Sequence, residues 1–437
     1  MYYKNNSCLN TVIELLMISI LYWFVFMIYQ YDSISAGIIM ILFSLYFIIN
    51  NVFIKNQEIN LYYLLIFIWF FTMGLSMLRL LGYQEPWTLK FFIITYLDLI
   101  LMSMGLNIGK TITITTCNYS INITKIFYIV LFCTFISILM YILSVLSTGI
   151  IALLSSSAGA YYNQYTRFVV IQVGMIPVSV LAYYYIVKSN ECKVKKIITM
   201  LCIFINVFLL PTLSVARGVF VVSVVLLFPI ILINIKNKFN FLKILLVVFF
   251  IFVFLTASRK YKDDYLEYIF MPQETKIMGV NVKMNAFQTF IYGYITVSHD
   301  NFNYNMDRIS DYSYGGRILK PLNVLFRLKS IDKLVDNSIT TNISFALTTH
   351  NMFGVTYYDF GFFSIIVLFL ISIVFGMVES YFYKNKSPIS SIIYGCCFIC
   401  IFFSFFTSYL ANFLFWMWLG MSFILYVLMY KIKFKFI

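Results

Sequence analysis

Charge is scarce in this chain of 437 residues: Asp, Glu, Lys and Arg supply 11% of it, against about 25% in a soluble domain. With 62% apolar residues and a mean hydropathy of +0.90, most of the chain has to be solvated by lipid, which excludes a water-soluble enzyme or binding module. Histidine is nearly missing, with only His299 and His350. No His pair, no Asp-x-Asp in the polar stretch after residue 258 and no Cys–His spacing is present, so the usual zinc and divalent-cation ligand sets are lacking and neither metal nor cofactor is expected. There is no P-loop, and no pair of carboxylates of the glycosidase type. Cysteine is present but never in that polar stretch: Cys133, Cys202, Cys396, Cys397 and Cys400 fall in apolar runs and read as small buried hydrophobes, so no disulfide is expected. The apolar run from Val12 to Tyr29 is longer than the 7–15 residues of a signal-peptide core and reads as an uncleaved first span.

What is there is a series of apolar runs near the length of about 20 residues that a helix needs to cross a bilayer. The expected fold class is all-α, a polytopic integral membrane protein with about twelve transmembrane helices. Spans are placed at about 12–29, 36–54, 61–81, 89–109, 124–146, 168–187, 197–213, 215–235, 241–258, 352–378, 389–408 and 410–430. The domain division that follows is residues 1–258 as helices one to nine, 259–350 as one long extracytoplasmic loop with short surface or re-entrant helices, and 351–437 as the last three helices.

The net charge of +14 sits at span ends and is not interleaved with aromatics as in a nucleic-acid binder. Lysine sets the orientation. With the N-terminus inside, Lys4, Lys55, Lys110, Lys188, Lys384 and the Lys193–Lys196 cluster are cytoplasmic, as are the lysines of 236–243 and 431–435; the short outer loops hold only Lys90 and Arg167. Both termini are then cytoplasmic and 259–350 lies outside. Within this loop, 285–298 is apolar but short and suits a re-entrant or surface helix. Residues 321–335 start at Pro321 and space Leu322, Leu325, Leu328, Ile331 and Leu334 three apart with Arg327, Lys329 and Lys333, like a basic helix on a membrane surface or an amphipathic helix packed on the spans.

The chain has seven arginines, Arg79, Arg167, Arg217, Arg259, Arg308, Arg317 and Arg327, and in this topology all lie at or beyond the outer face. Their planar forks bind phosphate oxygens two at a time, which points to a phosphorylated ligand in the outer leaflet. Ser214-Val215-Ala216-Arg217-Gly218 opens a span whose N-terminus favours an anion, and Thr256-Ala257-Ser258-Arg259 closes the ninth span at the same level, so Arg217 and Arg259 are candidates to grip a pyrophosphate. His350 heads the tenth span, where His350, Gly354, Tyr357 and Gly361 share a face; a neutral imidazole there can take a proton from an attacking hydroxyl. His299, beside Asp300, is expected to be solvated. Asp98, in mid-span, is expected to find a partner in Arg79 or nearby tyrosines; Asp359 lies two to three turns into the tenth span, roughly opposite His350, and catalysis is not the favoured role for either acid.

The number of spans, the long loop before the third-last span, the Ser214–Gly218 start and His350-Asn351 followed by Asp359-Phe360-Gly361 resemble the O-antigen polymerase family and the related O-antigen ligases. The resemblance implies a metal-independent, inverting glycosyltransferase of the bacterial cytoplasmic (inner) membrane. Its donor would be a growing glycan on undecaprenyl diphosphate, its acceptor one lipid-linked repeat unit, and its product an O-antigen or capsule polysaccharide. By the same resemblance Arg217 and Arg259 neutralise the leaving pyrophosphate and His350 is the base. Asn351 orients it or the sugar, while Arg79, Arg167, Arg308, Arg317, Arg327 and Tyr357 hold the second pyrophosphate or the glycan. Expected partners are the two lipid-linked glycans, membrane lipid and a chain-length regulator protein, with no nucleic acid. The competing expectations are an O-antigen ligase, which passes finished glycan to a lipid core, and a flippase of lipid-linked sugars.

Overall fold

The computed structural model describes residues 2–55, 57–82, 84–112, 123–151, 154, 167–214, 216–234, 273–277, 280–309, 311–326, 335, 340, 342 and 348–429, with residues 2–10, 217, 273–277, 280–283, 286–287 and 323–326 described by backbone alone. The helices are α1 (Tyr2–Tyr29), α2 (Ser33–Ile54), α3 (Leu61–Met77), α4 (Leu89–Thr111), α5 (Ile123–Thr148), α6 (Arg167–Lys188), α7 (Lys193–Leu213) and α8 (Arg217–Asn234). They continue as α9 (Ala286–Met306), α10 (Gly316–Phe326), α11 (Met352–Phe360), α12 (Ser364–Asn385), α13 (Pro388–Phe402) and α14 (Phe413–Met429). Among the described residues seven helical stretches are long and apolar enough to cross a membrane, and α3, α8, α13 and α14 are shorter apolar helices. The chain is a helical, polytopic membrane protein. The expected ninth span, 241–258, lies outside the described residues.

Side-chain caps explain where several helices start. Asp32 accepts the Ile34 N–H at 3.0 Å to open α2, Asn60 the Tyr63 N–H at 2.8 Å to open α3, and Thr88 the Phe91 N–H at 3.2 Å to open α4. In α9 the cap is reciprocal: the Gln288 N–H donates to Asn285 Oδ1 at 2.9 Å and the Asn285 N–H to Gln288 Oε1 at 3.0 Å. Between α11 and α12 the helix breaks at Gly361, whose φ of +57° is left-handed; an added Cβ there would also lie 2.7 Å from the Tyr312 ring.

Two compact units emerge. The first comprises residues 1–112, 267–377 and 400–413. In it α2 and α3 meet backbone to backbone, since a Cβ on Gly37 would stand 2.6 Å from the Gly74 carbonyl and one on Gly74 2.8 Å from the Gly37 carbonyl. The second unit comprises 113–266, 378–399 and 414–437. There Asn206 of α7 donates to Thr134 of α5 at 2.9 Å, and the Trp418 indole of α14 donates to the Val173 carbonyl of α6 at 2.9 Å. In a lipid-solvated bundle such bonds replace the missing water.

The loop region departs from the sequence reading in three ways. It contains an antiparallel hairpin, β1 (Gln273–Ile277) with β2 (Val280–Met284), in register Gln273 to Met284 and Ile277 to Val280, the one strand pair among the described residues. The apolar piece at 285–298 is only the first part of α9, which runs to Met306 and is buried rather than laid on a surface. The second helix starts at Gly316, not at Pro321, which sits inside α10; the rest of 327–335, Val335 apart, lies outside the described residues.

Candidate active site at the head of α11

The last two turns of α9 hold Ser298, His299, Asp300, Asn301, Asn303 and Asn305, all buried. A run this polar is buried only where its groups are bonded, and these are. On one side, Asp300 accepts from Ser76 Oγ at 3.1 Å, Gln84 Nε2 at 2.8 Å and Trp87 Nε1 at 3.0 Å. Asn303 Oδ1 accepts the Thr88 N–H at 2.9 Å. On the other side, Asn301 Nδ2 donates to the Thr349 carbonyl at 2.9 Å, and Ser298 Oγ donates to the Phe405 carbonyl. The α9 helix is thereby a polar spine fixing α3, α4 and the approach to α11 against one another.

His299 belongs to this spine and is fully buried, which corrects its expected solvated position. Its Nε2 lies 2.9 Å from Thr72 Oγ1 and its Nδ1 3.5 Å from Asn351 Nδ2. Thr72 already gives its proton to the Ile68 carbonyl at 2.8 Å, so His299 is the donor, through Nε2–H. The rings of Trp69 and Trp87 pack on it, at 5.1 and 6.2 Å between centroids. Burial pushes its imidazole down to about 3 and pushes the neighbouring Asp300 carboxyl up to about 6 against the pull of Trp87, Gln84, Ser76 and Arg79.

His350 has the opposite setting. It is half-buried, and its Nδ1 lies 3.3 Å from the Tyr358 hydroxyl. The same hydroxyl lies 3.3 Å from the Asn301 carbonyl. Arg317 places its guanidinium over the Tyr358 ring, 5.3 Å from the centroid, and donates to Thr340 Oγ1 at 3.4 Å. Burial, and after it the Arg317 charge, hold the His350 imidazole down at about 4. Burial also lowers the Arg317 guanidinium from its ordinary value. At neutral pH the site therefore presents a neutral imidazole beside a guanidinium.

Asp359 explains how Arg317 reaches that position. Its carboxylate accepts the backbone N–H groups of Arg317 and Ile318, each at 3.0 Å, and the Ser313 hydroxyl. It caps α10 from another helix and neutralises the dipole there, which leaves the guanidinium, not the helix end, facing Tyr358. Asp98 differs from its expectation: its two carboxyl oxygens are buried and meet no hydrogen-bond donor among the described residues. Arg79, its expected partner, is bonded to the Tyr29 hydroxyl and stacked on that ring at 5.0 Å.

The other sequence candidates have surroundings of their own. Asn351 is buried; its Oδ1 caps α11 through the Gly354 N–H at 2.7 Å and its Nδ2 donates to the Ser298 carbonyl at 3.1 Å, so it builds the site without facing it. Tyr357 is buried in α11, its ring 5.9 Å from Lys90 Nζ. Arg308 is exposed, stacked on Tyr304 at 3.5 Å. Arg167 is exposed at the start of α6, in the second unit, where Arg217 opens α8. Arg259, Arg327 and the Arg217 side chain lie outside the described part. Each described arginine stands at a helix end, and only Arg317 is placed beside a histidine. Comparison with family models, curated proteins and solved structures gives no match. The function therefore has to be argued from the site itself.

Sequence reasoning missed Tyr358: His350 precedes α11, so helical phase could not tell which α11 residue its imidazole meets.

Proposed function

We propose that the chain is a membrane glycosyltransferase that polymerises undecaprenyl-diphosphate-linked repeat units into a surface polysaccharide on the outer face of the bacterial cytoplasmic membrane. The observation that carries this reading is the neutral, half-buried imidazole of His350 with the Arg317 guanidinium beside it. A base and an anion-binding fork together suit transfer of a group from a diphosphate to a hydroxyl. The lysine distribution supports an outer location for 259–350 and hence for both residues.

In this mechanism the acceptor sugar hydroxyl gives its proton to His350 as its oxygen attacks the anomeric carbon of the donor. The bond from that carbon to the phosphate oxygen breaks, and its electron pair leaves with undecaprenyl diphosphate. The new glycosidic bond has the inverted configuration. The proton then passes from the imidazolium to water. Arginine stabilises charge that grows on the leaving group, a contribution made mainly in the transition state. Arg317 does so near His350. A diphosphate paired with Arg317 also cancels the positive charge that depresses His350, so the imidazole becomes a better base when substrate is bound.

The test is a strain lacking this chain, examined for its surface glycan. Long polymer should vanish while a single transferred unit remains. Loss of both would assign the chain to ligation, and accumulation of unflipped precursor on the inner face would assign it to transport.

A further inference from the structure

From Gly361 to Met377 the exposed residues are Phe362, Phe363, Ile366, Leu370 and Val374, all apolar. Phe362, Ile366, Leu370 and Val374 are four apart, so they fall in one stripe. Helix α12 has 22 residues, which makes about 33 Å of helix and matches a hydrocarbon core of about 30 Å. Its stripe therefore faces lipid chains, and the break at Gly361 falls where the chains give way to headgroups. Phe362 and Phe363, 63% and 69% exposed, carry the stripe onto the turn.

The start of α10 is tied to the same place. The Ser313 N–H donates to the Tyr358 carbonyl at 3.1 Å and the Tyr314 N–H to the Asp359 carbonyl at 2.8 Å, just before that turn. Tyr314 is held there at φ +46° and is 72% exposed. A strained aromatic residue that buries little within its own fold points to a partner outside it. Further along α10, Leu319 and Lys320 are exposed while Pro321 is buried. An exposed leucine beside a lysine suits a helix lying in a bilayer interface, with the leucine toward the chains and the ammonium toward the phosphates.

We propose that α10 and the turn at Gly361–Phe363 form a lipid-contacting surface, in which Tyr314, Leu319, Phe362 and Phe363 enter the boundary between headgroups and chains of the outer leaflet. The occupant is phospholipid, because the patch continues the lipid-facing stripe of α12, and aromatic residues at the end of a span are the mark of a membrane interface. The proposal deepens the glycosyltransferase reading and rests on its orientation for the choice of leaflet. Arg317 lies between Tyr314 and Leu319 in sequence, so its guanidinium is held at the level of the phosphates. A diphosphate on a lipid of that leaflet then reaches it without leaving the bilayer.

The experiment places p-benzoylphenylalanine at Tyr314, Leu319, Phe363 or Ile366, one at a time. The full chain is reconstituted in nanodiscs of phosphatidylethanolamine and phosphatidylglycerol, illuminated, and its products weighed by mass spectrometry. Ile366, on the α12 stripe, is the reference for lipid contact. Phospholipid adducts are expected at the other three positions in yields within about tenfold of that at Ile366. Lower yields at Tyr314 and Leu319 would overturn the proposal by placing α10 in water. Cross-links between two copies of the chain instead of lipid adducts would overturn it by giving the patch to a second copy. Should a variant fail to fold, Tyr314→Trp decides the same question: brominated phospholipid should quench the added fluorescence, and absence of quenching would overturn the proposal. The functional reading is separable. Lipid adducts together with a normal glycan ladder from His350→Ala would uphold the surface and sink the function; no adducts and no ladder would do the reverse.

Discussion

His299 and His350 lie in the same unit, and α9 and Asn351 connect their surroundings, yet they are held in contrasting ways. His299 is bonded at both ring nitrogens and sealed under two tryptophans. His350 spends one nitrogen on Tyr358, stays half exposed and has a cation for a neighbour. Burial makes both neutral, but among the described residues only His350 has a second ring nitrogen that is not tied to a partner. The lesson is that a shifted imidazole marks chemistry only when its second nitrogen is uncommitted; a sealed one marks architecture.

The comparison can be broken at either histidine. The largest effect on stability is expected from His299→Ala, which empties a buried site and strands Thr72 and Asn351. A loss of about 3 kcal/mol is expected, seen as a lower thermal midpoint in detergent and a lower protein level. His299→Gln keeps a donor toward Thr72 and should lose less than half of that.

A pH series sharpens the contrast. An ordinary imidazole titrates at about 6.5, and His299 in the fold at about 3. Between these values the unfolded chain binds the proton and the folded chain does not, so stability falls as pH falls through 6.5 toward 3. His350, at about 4, adds to this fall, whereas Asp300, raised to about 6, opposes it because there the folded state binds the proton first. His299→Gln removes the largest of the three shifts. The stability gap between the native sequence and His299→Gln, measured by thermal unfolding, should narrow as pH drops from 6.5 to 4; a constant gap would show that His299 is not a buried neutral imidazole.

Arg317→Lys keeps the charge near His350 but loses the fork. Polymer formation should drop about tenfold with little change in thermal midpoint. Smaller still is Asp359→Asn, which weakens the cap on α10 and should cost about 1 kcal/mol. Tyr314, just before this cap, is exposed and has φ +46°. Tyr314→Gly relieves that conformation and should raise the midpoint slightly, by a gain of about 1 kcal/mol.

The seven helices of membrane length were legible because their apolar runs are written contiguously, and breaks such as that after Pro211 carry local signals. The end of α9 was not. Ser298 to Asn305 reads as a solvated segment, since nothing local says that Ser76, Gln84, Trp87 and Thr349 supply its partners. The Asn285-x-x-Gln288 capping box was a local signal for where this helix begins. Pro321 was a misleading start signal for α10, because the cap comes from Asp359, distant in sequence. At the site, the rarity of histidine singled out His350, and the arginine reading included Arg317. Their meeting over Tyr358 depends on two elements far apart in the chain, and Asn351 was read toward the substrate when its amide points back to Ser298.

The most direct measurement is the glycan ladder made by His350→Ala in a strain lacking the native chain, with His299→Gln beside it at matched protein level. The account predicts almost no polymer beyond a single unit from His350→Ala and a near-normal ladder from His299→Gln. A full-length ladder from His350→Ala would contradict it.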